Sequence, residues 1–151
     1  MLHEKLTETI IGCAMKVHNT LGPGFLESVY QNALEHELKK AGLSVVCEYP
    51  LKVYYDDIVI GDFSADMLVE DTVIIENKAA QMLVPKNEVQ LVNYLNATLK
   101  DIGLLINFGA ESLQFRRKHR SFQGSQPKSF NNAWSHPLNP VNPVKKNHEF
   151  Y

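Results

Sequence analysis

Cysteine is scarce: Cys13 and Cys47 are the only two in 151 residues, each inside an apolar pattern rather than a spaced framework. That speaks against a disulfide scaffold, and two packing thiols in a reduced intracellular protein are the simplest account. Long hydrophobic runs are missing too, with nothing near the roughly 18 residues a membrane span needs, and 1–8 is too polar for a secretory leader. A soluble, cytoplasmic protein with no membrane partner is the expectation. There is no basic excess: 15 Lys and Arg against 17 Asp and Glu give a formal net charge of -2, so any site for a polyanion must be local. Internal repeats are absent. Gly22 to Gly24 cannot be a phosphate loop, because the lysine and hydroxyl of that motif are missing. What remains, 44% hydrophobic and 21% charged residues, suits one globular domain able to bury its own core.

Residues 4–20 place Leu6, Ile10, Ala14 and Val17 at helical spacing, and Gly22, Pro23 and Gly24 stop that helix. A second helical pattern runs through Leu26, Val29, Tyr30, Ala33, Leu34 and Leu38 to Gly42, which predicts a helical hairpin. From Ser44 the composition turns to β-branched and aromatic residues, and three antiparallel strands are expected, with turns at Asp56-Asp57 and Glu70-Asp71. Pro50 suggests a bulge or an edge in the first of them. Pro85 opens a third helix carrying Val89, Val92, Leu95 and Leu99, followed by a compact apolar strand at 103–108 and a short one at 113–119. The domain is thus expected over 1–120. Residues 121–151, rich in Pro, Asn and Ser, are expected to form an irregular tail whose Phe122, Phe130 and Trp134 could pack on the domain or on a partner.

Chemistry concentrates in GDFSADMLVEDTVIIENKAA. A hairpin centred near Asp71 sets Asp66 opposite Glu76, and strand alternation turns Glu76 and Lys78 the same way. Like charges facing each other across a ladder are destabilising, and a divalent cation between them would relieve that. A lysine two residues on could hold a water and offset charge developing on a phosphate. The competing reading is a solvated sheet face with a cross-strand ion pair, and the spacing alone leaves both open.

Gly24, Glu27 and Tyr30 in GFLESVY, the Ala65-Asp66 pair, Glu76-Asn77-Lys78 and the Q-x-x-x-Y-L of 90–95 together resemble the GxxExxY family of small bacterial and archaeal proteins, assigned to the PD-(D/E)XK nuclease superfamily. The likeness runs over about 4–118, in order and with compatible spacings. It implies an α/β, restriction-endonuclease-like core, a mixed sheet flanked by helices with the acidic pair on its central hairpin. It further implies Asp66, Glu76 and the main-chain carbonyl of Asn77 as ligands of Mg2+ or Mn2+, and Lys78 as the catalytic lysine. Glu27 would lie near the metal as a candidate further ligand, and Gln90 would support the site from the third helix. Tyr30 is more naturally a core residue, although its hydroxyl could orient Glu27 or touch a phosphate. Tyr94 shares a helix face with Gln90 and Asn87. Two departures stand out: relatives commonly carry histidine near Asn87 and an apolar residue at Asn77, whose buried amide would need partners.

Arg116, Arg117 and Lys118 belong to the only strong basic run, which alternation in a strand would divide between two faces. If the chain is a nuclease, they are candidates to grip phosphates. His18 falls beside the apolar stripe of the first helix and is expected to be packed rather than a ligand. The expected function is metal-dependent hydrolysis of nucleic acid, DNA before RNA. The alternatives are a degenerate nuclease fold that binds nucleic acid or a protein without cutting, and a structural subunit docked through the tail.

Overall fold

The computed structural model describes residues 3–121, so the expected tail lies outside the described residues apart from Ser121. Helix α1 (Glu4–Leu21) buries Ile10, Ala14 and Val17 on one stripe and stops at Gly22, whose φ of 70° suits glycine. Helix α2 (Glu27–Lys40) buries Tyr30, Leu34 and Leu38, each one turn after the last. His18 is buried and its Nε2–H donates to the Ala110 carbonyl at 2.9 Å, so it ties α1 to the turn after the fourth strand.

Five strands lie in chain order across one sheet: β1 (Val45–Tyr55), β2 (Ile58–Val69), β3 (Val73–Lys78), β4 (Ile102–Asn107) and β5 (Gln114–His119). Neighbours are antiparallel except β3 and β4, which are parallel. A parallel pair needs a crossover, and α3 (Pro85–Thr98) supplies it. Both expected hairpin turns occur, with Asp56 and Asp57 at φ 50° and 63° and Glu70 and Asp71 at 54° and 52°. Two consecutive left-handed residues give the turn whose twist matches that of the flanking strands. Pro50 sits in register opposite Ser64 on the edge strand, where a missing N–H is tolerated, and the register shift falls instead between Val53 and Tyr54.

Each side of the sheet has its own core. Helices α1 and α2 cover Met67, Val69, Val73, Ile75, Ile102, Leu104 and Ile106, while α3 covers Leu68, Ile74 and Leu105 with Leu91, Tyr94 and Leu95. Each such side chain contributes about 1.5–3 kcal/mol by leaving water, so apolar burial on both faces backs the main-chain ladders at the sheet's centre. The β1–β2 hairpin changes sides. Val45 and Cys47 pack with the first core, but Tyr49, Leu51 and Val53 pack with the second; on β2, Met67 and Val69 join the first, Phe63 and Ala65 the second. Residues two apart in a strand share a face unless alternation is interrupted. Here both strands break at one rung, Glu48 opposite Asp66, between the pairs Cys47 with Met67 and Tyr49 with Ala65. Glu48 carries the break in its own backbone, at φ 52°.

Candidate active site

Pairing of β2 with β3 runs through Val69 with Val73, Leu68 with Ile74 and Met67 with Ile75, and the next rung would set Asp66 against Glu76. There the main-chain ladder gives way to side chains. The Asp66 N–H donates to Glu76 Oε2 at 2.8 Å, and the Asn77 N–H donates to Asp66 Oδ2 at 2.7 Å. Each carboxylate therefore reaches across to the other strand's backbone, and both are buried, Asp66 to 5% and Glu76 to 1% exposure. Charge-assisted bonds of this kind are what allow two acids to lie side by side out of solvent.

Lys78 ends β3. Alternation from Ile74 through Glu76 places it on the α3 side of the sheet, half-buried. The backbone beyond it is fixed: Lys78 O accepts the Phe108 N–H at 2.8 Å, and the fully buried Asn107 amide makes two bonds of 2.9 Å to the Ala80 N–H and carbonyl. Gly109 closes over the same turn, where a Cβ would come within 2.5 Å of Ala79 C and Ala80 N. No side chain fits there.

From α2, Glu27 occupies the exposed first turn, and Gln31, four residues on and so on the same helix face, reaches the sheet. Gln31 Nε2 donates to Glu48 Oε2 at 3.1 Å and, at a long 3.4 Å, to the Asp66 carbonyl. Tyr30 is fully buried and stacked on Phe108 at 4.8 Å. Its hydroxyl donates to the Gly22 carbonyl at 2.5 Å and accepts the Phe25 N–H at 3.1 Å, so it serves the turn that leads into α2. From α3, Gln90 Nε2 donates to the Tyr94 hydroxyl at 3.1 Å, both residues buried on the side that carries Glu76. Asn87 is used locally, its Oδ1 accepting the Val84 N–H at the helix start.

The basic run divides. Arg117 points to the α1 side and donates to Thr7 Oγ1 at 2.6 Å, while Lys118 pairs with Glu88 of α3 at 3.0 Å. Arg116 is exposed and lies on the rung of Glu76 and Leu105. Two strand spacings separate it from Glu76, about 10 Å. Asn77 meets the expected difficulty: its Nδ2 finds only Met67 Sδ at 3.4 Å, and its Oδ1 is buried with no hydrogen-bond partner.

Sequence reasoning missed Gln31, Glu48, Ser64 and Asn107. Gln31 could have been found, since it stands one helical turn after Glu27. The other three depend on strand pairing and on the face change at Glu48. Cys47, beside Glu48, has its thiol pushed up to about 11, first by burial and then by the Glu35 charge, so it is a protonated packing group at neutral pH.

Among the described residues no group of three or more His, Cys, Asp or Glu side chains converges on one point. The seam thus offers two carboxylates together with main-chain carbonyls. Such hard oxygen donors fit Mg2+ or Mn2+, which retain several waters, and do not resemble the nitrogen and sulfur sets that hold zinc.

Comparison with known proteins bears on the fold and the family. The crystal structure of SSO0001 aligns with a TM-score of 0.52 at 14% identity, covering 92% of this chain and 70% of that chain, a likeness of fold. No curated protein matches the sequence. Among the described residues no helix is long and apolar enough to cross a membrane. The family described as the PD-(D/E)XK nuclease superfamily matches residues 4–118, which takes in every strand of the sheet up to Lys118. With the mixed five-stranded sheet flanked by helices, a restriction-endonuclease-like core, the chain belongs to the PD-(D/E)XK nuclease superfamily.

Proposed function

We propose that this chain is a Mg2+- or Mn2+-dependent phosphodiesterase of the GxxExxY type that hydrolyses nucleic acid, DNA in preference to RNA. The observation that carries the reading is the seam itself: two buried carboxylates interlocked across β2 and β3, with a lysine two residues beyond the second. Asp66, Glu76 and the Asn77 carbonyl would hold the ion. When bound, it would polarise the phosphate and make its water a better nucleophile. Lys78 orients the attacking water and offsets the negative charge that builds on the phosphoryl oxygens as the new P–O bond forms and the bond to the leaving oxygen breaks. Glu27 on α2 would add a further ligand, Gln90 and Tyr94, buried on the α3 side, would support the site, and Arg116, on the rung of Glu76, would contact a phosphate. Tyr30 contributes by fixing the turn ahead of Glu27.

The test is one assay of the full chain on supercoiled, linear duplex and single-stranded DNA and on RNA, with manganese, magnesium or chelator. Cleavage of at least one substrate, abolished by chelator and by Asp66→Asn, is expected; intact substrates throughout, with manganese present, would overturn the reading. One observation favours a degenerate, binding-only fold instead. Asp66 Oδ2 and Glu76 Oε2 each accept a main-chain N–H, a structural role that needs no ion. In that case nucleic acid or a protein would bind uncut and manganese would leave the melting temperature unmoved.

A further inference from the structure

Asp66 lies where strand pairing is interrupted on both sides, so side chains fix its backbone. Glu76 accepts its N–H, and Gln31 reaches its carbonyl. Gln31 is itself held by Glu48 Oε2, and Glu48 Oε1 accepts the hydroxyl of Ser64, a fully buried residue, at 3.0 Å. The Glu48 carboxylate is thereby fastened to α2 at one oxygen and to β2 at the other. Glu48 also sits at φ 52°, a left-handed conformation that a residue with a long side chain keeps only where its surroundings over-determine it.

We infer that Gln31 and Glu48 are positioning residues for Asp66: a strut from α2 through Glu48 to Ser64 that fixes the rung opposite Asp66 and so the direction of its carboxylate. This rests on the metal-dependent reading above. Neither residue touches reacting atoms; both act through Asp66. A ligand's orientation set by such supporting bonds governs how tightly an ion is held, because small angular errors at a ligand weaken coordination.

The test is a manganese titration of the chelator-stripped full chain, read as the rise in melting temperature. Gln31→Leu keeps the side chain's bulk and removes its donated bonds. The metal-free protein should melt close to wild type with the same circular dichroism, while the manganese midpoint moves up about tenfold, as loss of a ligand's supporting bond typically does. Glu48→Gln, which presents one acceptor oxygen in place of two, should move it the same way by less. An unmoved midpoint in folded Gln31→Leu overturns the inference, and so does an unmoved midpoint with a lowered metal-free melting temperature, which would make the strut a support of the fold alone. A wild type that shows no manganese response removes the metal reading and this inference with it. Should Gln31→Leu not fold, Gln31→Asn, shorter by one methylene, is judged by the same midpoint.

Discussion

The two ends of the β2–β3 pairing are built on opposite plans. At one end, Met67, Leu68 and Val69 face Ile75, Ile74 and Val73 through a regular main-chain ladder, all six buried between helices on both sides. One rung further, the same strands are joined by carboxylates bonded to backbone N–H groups. The first end relies on non-directional burial shared among many neighbours, so its residues substitute for one another. The second depends on single bonds of fixed direction, each made by one residue. On the proposed reading, stability and chemistry would thus fall to adjacent but separable stretches of one hairpin.

That division is testable by substitution on either side of it. Ile75→Ala, in the apolar end, should cost about 2–5 kcal/mol of stability in urea unfolding by leaving a cavity, while cleavage per folded molecule stays at the wild-type rate. Comparable losses in both would show that the two ends are not separable. Lys78→Ala should do the reverse if the proposed mechanism holds, reducing the cleavage rate on the order of 10² to 10³ by removing a charge that would stabilise the transition state, with circular dichroism and nucleic-acid affinity nearly unchanged. Equal rates for variant and wild type would make Lys78 part of a half-buried strand face and nothing more. The smallest effect is at the boundary. Asn77→Leu replaces a buried, unpartnered amide oxygen by carbon, and a gain of about 1–2 kcal/mol in unfolding free energy is expected. Cleavage should persist, because the proposed site would use the main chain of residue 77; a loss of activity without a loss of fold would assign the amide a role.

Much of this plan was legible in the sequence, for identifiable reasons. The turns at Asp56-Asp57 and Glu70-Asp71 were readable because aspartate marks tight turns, and the helices because their apolar residues keep helical spacing. The rung of Asp66 and Glu76 followed from counting outwards from Asp71. The face change at Glu48 was not readable: glutamate gives no signal for a left-handed backbone, and Pro50, which does signal an irregularity, sits in register two residues away. Gln31 itself was within reach as the residue one helical turn after Glu27, but its partner Glu48 was not, because that pairing depends on how β1 meets β2. Tyr30 shows the converse case, a motif residue whose hydroxyl is committed to the 22–25 turn.

The Asn107 clamp gives the lysine a fixed datum. Its amide mimics a peptide group and extends the β3–β4 pairing around the corner at Ala80, with Gly109 packed underneath. Lys78 is therefore indexed to the parallel pair at the sheet's centre, whereas Asp66 is indexed through Gln31 and Glu48 to α2 and the β1–β2 hairpin. Glu76 and the Asn77 N–H bridge these two frames of reference. Under the proposed metal-dependent reading, an ion held at the seam would be gauged against both frames at once, so their relative setting would govern which ions fit.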